Sequence, residues 1–265
     1  YNLTHCKNND RSFIKDLEID ILVSSHEFCV EYNGLLPHSF GNSKISYYNN
    51  RNIDRDYHLR KTELVEEKGY ELFHIFENEW LDEKKQKIWK SIINNKLNIY
   101  KEVLAEDCII KEIDTDESNN FLNENHLEGS CTSTVSLGLY FDNMLVSIML
   151  IQNYAKDKWE IIRFANKLNY NIDDSISKLL QYFEIIYKPK DILIHIDRRW
   201  EQNYLYEQLG FVFICNTEPR CFKFKINENK LNIFDESKIQ LDELFDNGYR
   251  IIYDSGAKKY IKTIK

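Results

Sequence analysis

The sequence lacks any long apolar run. No stretch of about 18 consecutive apolar residues occurs, which argues against a transmembrane helix. The first residues also lack the charged, apolar and small-residue pattern of a secretory signal peptide. Since Tyr1 is not an initiator methionine, we expect an upstream segment to have been removed. These absences predict a cytoplasmic protein with no membrane partner.

The cysteines lack the paired close spacings of a zinc site. The chain has six, at positions 6, 29, 108, 131, 215 and 221, and none are arranged as structural zinc ligands usually are. Their scatter fits reduced thiols in the cytosol better than a disulfide framework.

Positive charge is also scarce. The formal net charge of −8 argues against a DNA-binding protein at first sight. However, residues 1–100 hold 14 Lys and Arg against 16 Asp and Glu, so most of the excess lies in the second part of the chain. A nuclease needs only a local basic track for its phosphate contacts.

The composition is that of a globular protein. Hydrophobic residues make up 43% and aromatic residues 14%, which is too high for a disordered chain. A length of 265 residues is enough for two domains of ordinary size.

An acid pair is predicted in a hairpin near the start. Residues 17–23 alternate apolar and polar side chains, and residues 28–32 run back after a polar turn. This pairing places Asp20 opposite Glu31, and facing carboxylates need a neutralising partner. Oxygen ligands of this kind suit magnesium. Two solvated acids on an ordinary strand are the alternative.

A helix and a strand are predicted to complete a small mixed sheet. Asp54 or Asp56 can cap a helix over residues 57–65, with His58 and Lys61 on one face. Residues 70–76 then form a buried strand that ends in the acidic segment Glu77-Asn78-Glu79-Trp80, at the edge where α/β sheets place ligands.

This order of motifs resembles a known family. The motifs are Leu17-Glu18-Ile19-Asp20-Ile21, Val30-Glu31-Tyr32-Asn33-Gly34, His38-Ser39, Tyr57-His58, Lys61-Thr62 and His74-Ile75-Phe76-Glu77-Asn78-Glu79-Trp80. Over roughly residues 10–100 they resemble phage-encoded endonucleases of the PD-(D/E)XK superfamily, the Vsr-like proteins often labelled Hef-like homing endonucleases. The resemblance implies a metal-dependent endonuclease that hydrolyses phosphodiester bonds in duplex DNA.

The resemblance also implies roles for individual residues. Asp20 and Glu31 would hold Mg²⁺ or Mn²⁺, and His38 would occupy the place of the catalytic histidine. Lys61 or His58 would stabilise the developing charge, since Asn33 stands where the superfamily usually has lysine. The candidate DNA-binding residues are Arg55, Arg60, Arg198, Arg199 and Trp200.

Some DNA-contact candidates have structural alternatives. Arg198 and Arg199 could instead be internal salt-bridge partners. Tyr47 and Tyr48 could stack on bases or pack on the domain. His195 and Asp197 could be an acid–base pair or could simply satisfy each other.

The second part of the chain resembles a GNAT-type acyltransferase fold over roughly residues 101–227. It carries an alternation of helices and strands, and Leu205-Tyr206-Glu207-Gln208-Leu209-Gly210-Phe211 ends one helix. In such enzymes a glycine-bearing turn offers N–H groups to the pyrophosphate of acetyl-CoA. The corresponding turn, residues 169–175, has no glycine and carries Asp173 and Asp174, so no acetyl-CoA is expected.

The sequence therefore predicts an α/β (α+β) protein. A restriction-endonuclease-like mixed sheet (1–100) precedes a GNAT-like domain (101–227) and a terminal helix with a hairpin (228–265). Double-stranded DNA is the expected partner in a phage-infected host cell or on a nucleoid, with a protein partner possible through the C-terminal half. Two alternatives are a catalytically inactive nucleic-acid- or protein-binding protein, favoured by Pro37 before His38, and an acyltransferase.

Overall fold

The fold is a mixture of helices with parallel and antiparallel strands. The computed structural model describes residues 5–14, 17–40, 53–200, 204–226, 228, 230–238 and 240–264. The α/β class predicted from the sequence is confirmed. Tyr47 and Tyr48 lie outside the described residues, so their proposed roles stay predictions.

The elements are numbered in chain order. The strands are β1 (Cys6–Asp10), β2 (Ile19–Val23), β3 (Phe28–Asn33), β4 (Glu71–Phe76), β5 (Lys101–Leu104), β6 (Ile109–Glu112), β7 (Val135–Phe141), β8 (Met144–Ala155), β9 (Lys158–Asn166), β10 (Tyr170–Asp173), β11 (Asp191–Asp197), β12 (Val212–Asn216), β13 (Cys221–Lys225), β14 (Asn232–Ile233), β15 (Tyr249–Tyr253) and β16 (Ala257–Thr263). The helices are α1 (Tyr57–Glu66), α2 (Glu77–Leu81), α3 (Glu83–Lys96), α4 (Thr115–Asn125), α5 (Ser175–Tyr187), α6 (Tyr204–Gln208) and α7 (Leu241–Asp246). None of the helices in the described part of the chain is both long and apolar enough to cross a membrane.

The chain forms two compact units that alternate along the sequence. Unit 1 consists of Tyr1–Asp82, Asp197–Gln202 and Asn216–Ala257. Unit 2 consists of Glu83–Ile196, Asn203–Cys215 and Lys258–Lys265. The consecutive division into residues 1–100, 101–227 and 228–265 stays a prediction beside this interleaved arrangement.

Unit 1 is built on two sheets. The first has the order β1-β2-β3-β4. Val23 pairs with Phe28 across the turn, which is the predicted hairpin register. β4 runs parallel to β3, and α1 lies in the crossover connection that a parallel pair requires. The second sheet has the order β14-β13-β15.

The end of the chain differs from the prediction. The predicted terminal hairpin does not form, because β15 pairs with β13 in unit 1 whereas β16 lies between β12 and β11. β13 falls within the range predicted for the GNAT-like domain, residues 101–227, but belongs to the small sheet of unit 1.

Unit 2 contains a seven-stranded sheet of order β12-β16-β11-β9-β8-β7-β6. β7 and β8 form a hairpin, and Asp142 and Asn143 both adopt positive φ at its turn. Asp114 caps α4 by accepting a hydrogen bond from the Glu117 N–H. α5 buries one apolar face against the sheet, because Leu179 and Phe183 belong to the same core as the strand residues.

Candidate functional site

The two carboxylates predicted to hold a metal lie side by side in unit 1. Asp20 Oδ2 accepts a hydrogen bond from the Tyr32 N–H at 2.7 Å. Glu31 Oε1 accepts one from the Asp20 N–H at 3.0 Å. Each carboxylate is thus tied to the backbone of the neighbouring strand.

The cation beside Glu31 is a lysine. Lys61 Nζ lies 2.5 Å from Glu31 Oε2, and both side chains are almost completely buried. Burial raises the pKa of Glu31 to about 7, while the Lys61 ammonium acts in the opposite direction. In the part of the chain that the structure describes, no three His, Cys, Asp or Glu side chains are grouped to hold a metal. Lys61 therefore neutralises the position that the sequence assigned to Mg²⁺ or Mn²⁺.

A cluster of buried and half-buried polar side chains lies near this pair. His38 Nδ1 and His58 Nε2 are 3.3 Å apart. Thr62 Oγ1 lies 2.9 Å from His74 Nε2, and the amide of Asn33 lies 3.1 Å from His74 Nδ1. The structure therefore brings together four of the predicted site residues, namely Glu31, His38, His58 and Lys61, with Asp20 beside them.

The buried histidines are neutral near neutral pH. Burial lowers the pKa of His58 to about 3, and burial also lowers the pKa of His74. A neutral imidazole does not supply positive charge, so the predicted charge-stabilising role of His58 is corrected. The role assigned to His38 stays a prediction.

Arg198 and Arg199 lie in buried ion pairs of unit 1. Both residues are 5% exposed. Arg198 Nη2 donates to Glu66 at 2.7 Å, and Arg199 Nη1 donates to Glu79 at 3.1 Å. Buried guanidinium groups with these partners do not present themselves to phosphate, so the alternative of internal salt bridges describes them better.

The other candidate DNA contacts are weak. Arg55 and Arg60 are about half exposed, and each forms an ion pair with an acidic side chain. The Trp200 ring lies 4.3 Å from the guanidinium carbon of Arg199, which gives it a packing role. Double-stranded DNA as a partner stays a prediction. Arg198 and Arg199, however, are buried and do not face such a partner.

One buried ionic network was not predicted. Asp197 accepts hydrogen bonds from Arg220 and from the backbone N–H of Arg199, and Arg220 Nε also donates to Asp254 at 2.6 Å. His195 Nδ1 instead lies 2.9 Å from Glu160, so His195 and Asp197 do not pair. The adjacent charges Asp-Arg-Arg at the end of β11 were the available sequence signal for this network. The other members, Arg220 and Asp254, lie far along the chain.

Unit 2 has an opening in its sheet. β9 and β11 pair in parallel from Lys158/Asp191 to Ile161/Ile194. Both strands continue beyond this register, β9 to Asn166 and β11 to Asp197. Their carboxyl ends therefore separate, which is where open α/β sheets bind ligands.

The amino end of α5 lies at this opening. Ser175, its first residue, donates a hydrogen bond from Oγ to Asn166 Oδ1 at 3.3 Å. Asn169 and Asp174 adopt positive φ, 61° and 58°, a conformation that Asn and Asp tolerate better than most residues. Asn169 and Asp174 thus provide the positive-φ positions at which glycine is usually found.

A cavity of about 580 Å³ lies along the first turns of α5. It is lined by Leu104, Ala105, Glu106, Asp173, Asp174, Ser177, Lys178 and Gln181. Lys178 Nζ donates to the carbonyl groups of Ala105 and Cys108 at 2.6 and 2.7 Å. This lysine therefore fastens α5 to the wall of the cavity.

The chain is similar to solved acetyltransferases at low identity. A Bacillus subtilis acetyltransferase in complex with CoA matches at 13% identity and TM-score 0.38, covering 60% of this chain and 99% of the other. The Escherichia coli ribosomal-protein-S18-alanine N-acetyltransferase matches at 12% and 0.38, covering 60% and 94%. A GNAT family acetyltransferase from Elizabethkingia anophelis with acetyl-CoA bound matches at 10% and 0.35, covering 60% and 99%. No protein-family model matches the chain, and no curated protein matches it.

These findings correct the functional prediction. The similar structures are acetyltransferases, some solved with CoA or acetyl-CoA, and none of these comparisons supports the endonuclease resemblance. The predicted metal-dependent DNA endonuclease is therefore wrong, as are the predicted Mg²⁺ and the expectation of no acetyl-CoA. The physical reasons are that Lys61 Nζ lies against Glu31 and that no three His, Cys, Asp or Glu side chains of the described residues are grouped to hold a metal. In addition, Asp173 and Asp174 are exposed, where water and salt screen their charge.

Proposed function

We propose that unit 2 binds an acyl-CoA thioester and transfers its acyl group to an amine. The observation that carries this proposal is the separation of β9 and β11 beyond Ile161 and Ile194, with the start of α5 beside it. The proposal stands on this geometry.

Two backbone features fit such a ligand. The first-turn N–H groups of α5 have no capping side chain from Asp174, so they can receive the pyrophosphate oxygens. The pairing of β9 with β11 ends at Ile161. Beyond that residue, backbone N–H groups on this edge of β9 can donate hydrogen bonds to the thioester carbonyl. The amine lone pair attacks the carbonyl carbon, the carbon–sulfur bond breaks, and the thiolate takes up the proton that the amine releases.

Acidic side chains near α5 set the expected salt dependence. Asp173 and Asp174 are both exposed, so their repulsion of a pyrophosphate is screened at ordinary ionic strength. The Asp173→Asn/Asp174→Asn double variant should therefore tighten acyl-CoA binding at low salt and have a smaller effect at high salt.

Calorimetric titration with acetyl-CoA tests the proposal. The wild-type protein should give saturable binding, and Ser177→Asp should weaken it at least several-fold by adding a carboxylate to the first turn of α5. Thr132→Asp makes the same charge change at an exposed position away from α5 and should leave binding unaltered. A titration that does not saturate at millimolar acetyl-CoA, or equal effects of the two variants, would overturn the proposal.

A further inference from the structure

The two edges of the seven-stranded sheet in unit 2 differ in their side chains. β6 forms one edge and carries the exposed charged residues Lys111 and Glu112. β12 forms the other edge, and its sequence Val-Phe-Ile-Cys-Asn holds no charge and no proline. Charged residues and prolines are the usual means by which an edge strand avoids pairing with another chain.

β12 is exposed on both faces. All five residues of the strand are exposed, and the exposed fractions of Val212, Phe213 and Ile214 are 65%, 44% and 46%. Leu205 on the neighbouring α6 is 43% exposed. Such a continuous apolar surface around an open strand edge is typical of a protein interface.

We propose that β12 pairs antiparallel with β12 of a second copy of this chain, joining the two sheets edge to edge. A two-fold axis at Ile214 places Phe213 opposite Cys215 and Val212 opposite Asn216. No like charges then face each other, because the strand has none. A partner strand must present apolar side chains on both faces, and β12 itself meets that requirement.

The interface is small. Stable interfaces bury at least roughly 1,200 Å² in total, and the exposed side chains of two five-residue strands with Leu205 supply less than that. The dimer is therefore weak and dissociates on dilution. This property separates it from an obligate dimer, in which the monomer does not persist.

Sedimentation velocity across a concentration series tests this pairing. Wild-type protein should shift from monomer to dimer as its concentration rises, and Ile214→Lys should remain a monomer throughout. Ile109→Lys places the same substitution on β6, at a residue 65% exposed, and should dimerise as the wild type does. Val212→Lys is a second variant at an exposed position, so a folding defect at residue 214 would not hide the result.

Hydrogen exchange supplies an independent measurement. The backbone amides of β12 should exchange more slowly at high than at low protein concentration, whereas those of β6 should not change. A wild-type monomer at every concentration, a dimer that survives Ile214→Lys, or a dimer lost in Ile109→Lys would each overturn the proposal.

Discussion

Lys61 Nζ on α1 lies 2.5 Å from Glu31 Oε2 on β3, and neither side chain is more than 4% exposed. The pair joins a helix to a sheet through two charges that water does not reach. Removing one partner of such a pair leaves the other buried and uncompensated, which is far more costly than removing both.

Lys61→Met should lower the free energy of unfolding by about 3–5 kcal/mol. Urea denaturation at a pH above the Glu31 pKa of about 7 measures this loss. The loss should shrink below that pH, because the carboxyl group then binds a proton. The Glu31→Gln/Lys61→Met double variant should recover much of the stability, and a single variant as stable as the wild type would contradict the buried ion pair.

Arg199→Met should be much more destabilising than Arg60→Met. Arg199 is buried between Asp197 and Glu79, so its loss should cost about 3–5 kcal/mol. Arg60 is half exposed beside Asp54, and an exposed pair contributes at most about 1 kcal/mol. Thermal and urea unfolding of both variants provide the comparison, and equal losses would show that Arg199 is not held as described.

Gly256→Ala should destabilise the protein more than Gly248→Ala. Both glycines have positive φ, 71° and 78°, so each alanine costs about 1–2 kcal/mol of backbone strain. A Cβ at Gly256 would also lie 2.6 Å from the Thr217 carbonyl oxygen, whereas one at Gly248 meets nothing within 4 Å. Chemical denaturation gives the difference, and a Gly256→Ala variant no weaker than its control would count against the close approach.

His58 should make the protein less stable as the pH falls. Its pKa is about 3 in the folded chain against an ordinary value of 6.5, so between these values the unfolded chain binds a proton that the folded chain does not. The free energy of unfolding should fall by up to about 1.4 kcal/mol per pH unit from this residue alone.

Urea denaturation at several pH values from 6.5 downward checks this slope. His58→Asn should reduce the pH dependence even though it lowers stability at every pH. Leu72→Ala removes a buried apolar side chain of unit 1 and should lower stability without changing the slope. Parallel pH profiles for the wild type and His58→Asn would refute the buried neutral histidine.

Local patterns were sufficient for the elements that neighbouring residues determine. The β2–β3 hairpin follows from its alternation and turn. The predicted site residues Glu31, His38, His58 and Lys61 do come together. The order of these residues in the chain was enough to predict that they cluster. It was not enough to predict whether a metal lies between the carboxylates.

Long-range partners could not be predicted. The segment around Gly256 has the composition of a hairpin turn, but the strands on either side have other partners. β15 pairs with β13, and β16 pairs with both β11 and β12. Alternation in β11 places Asp197 with His195, whereas its partner Arg220 lies in the segment just before β13. When several oppositely charged residues are available, the sequence does not show which of them a given charge will pair with.

The alternation of the two units along the chain has a consequence for synthesis. Thr62 meets Ser255 in the interior of unit 1, with Oγ atoms 2.9 Å apart. The ribosome must therefore release almost the entire polypeptide before that interior can close, and the amino-terminal strands wait while unit 2 is translated. Contacts between such distant residues slow folding and leave unpaired strands open to misassociation during the delay. A nascent chain ending near residue 100 would contain β1 to β4 but would lack Ser255 and the β14-β13-β15 sheet that completes unit 1.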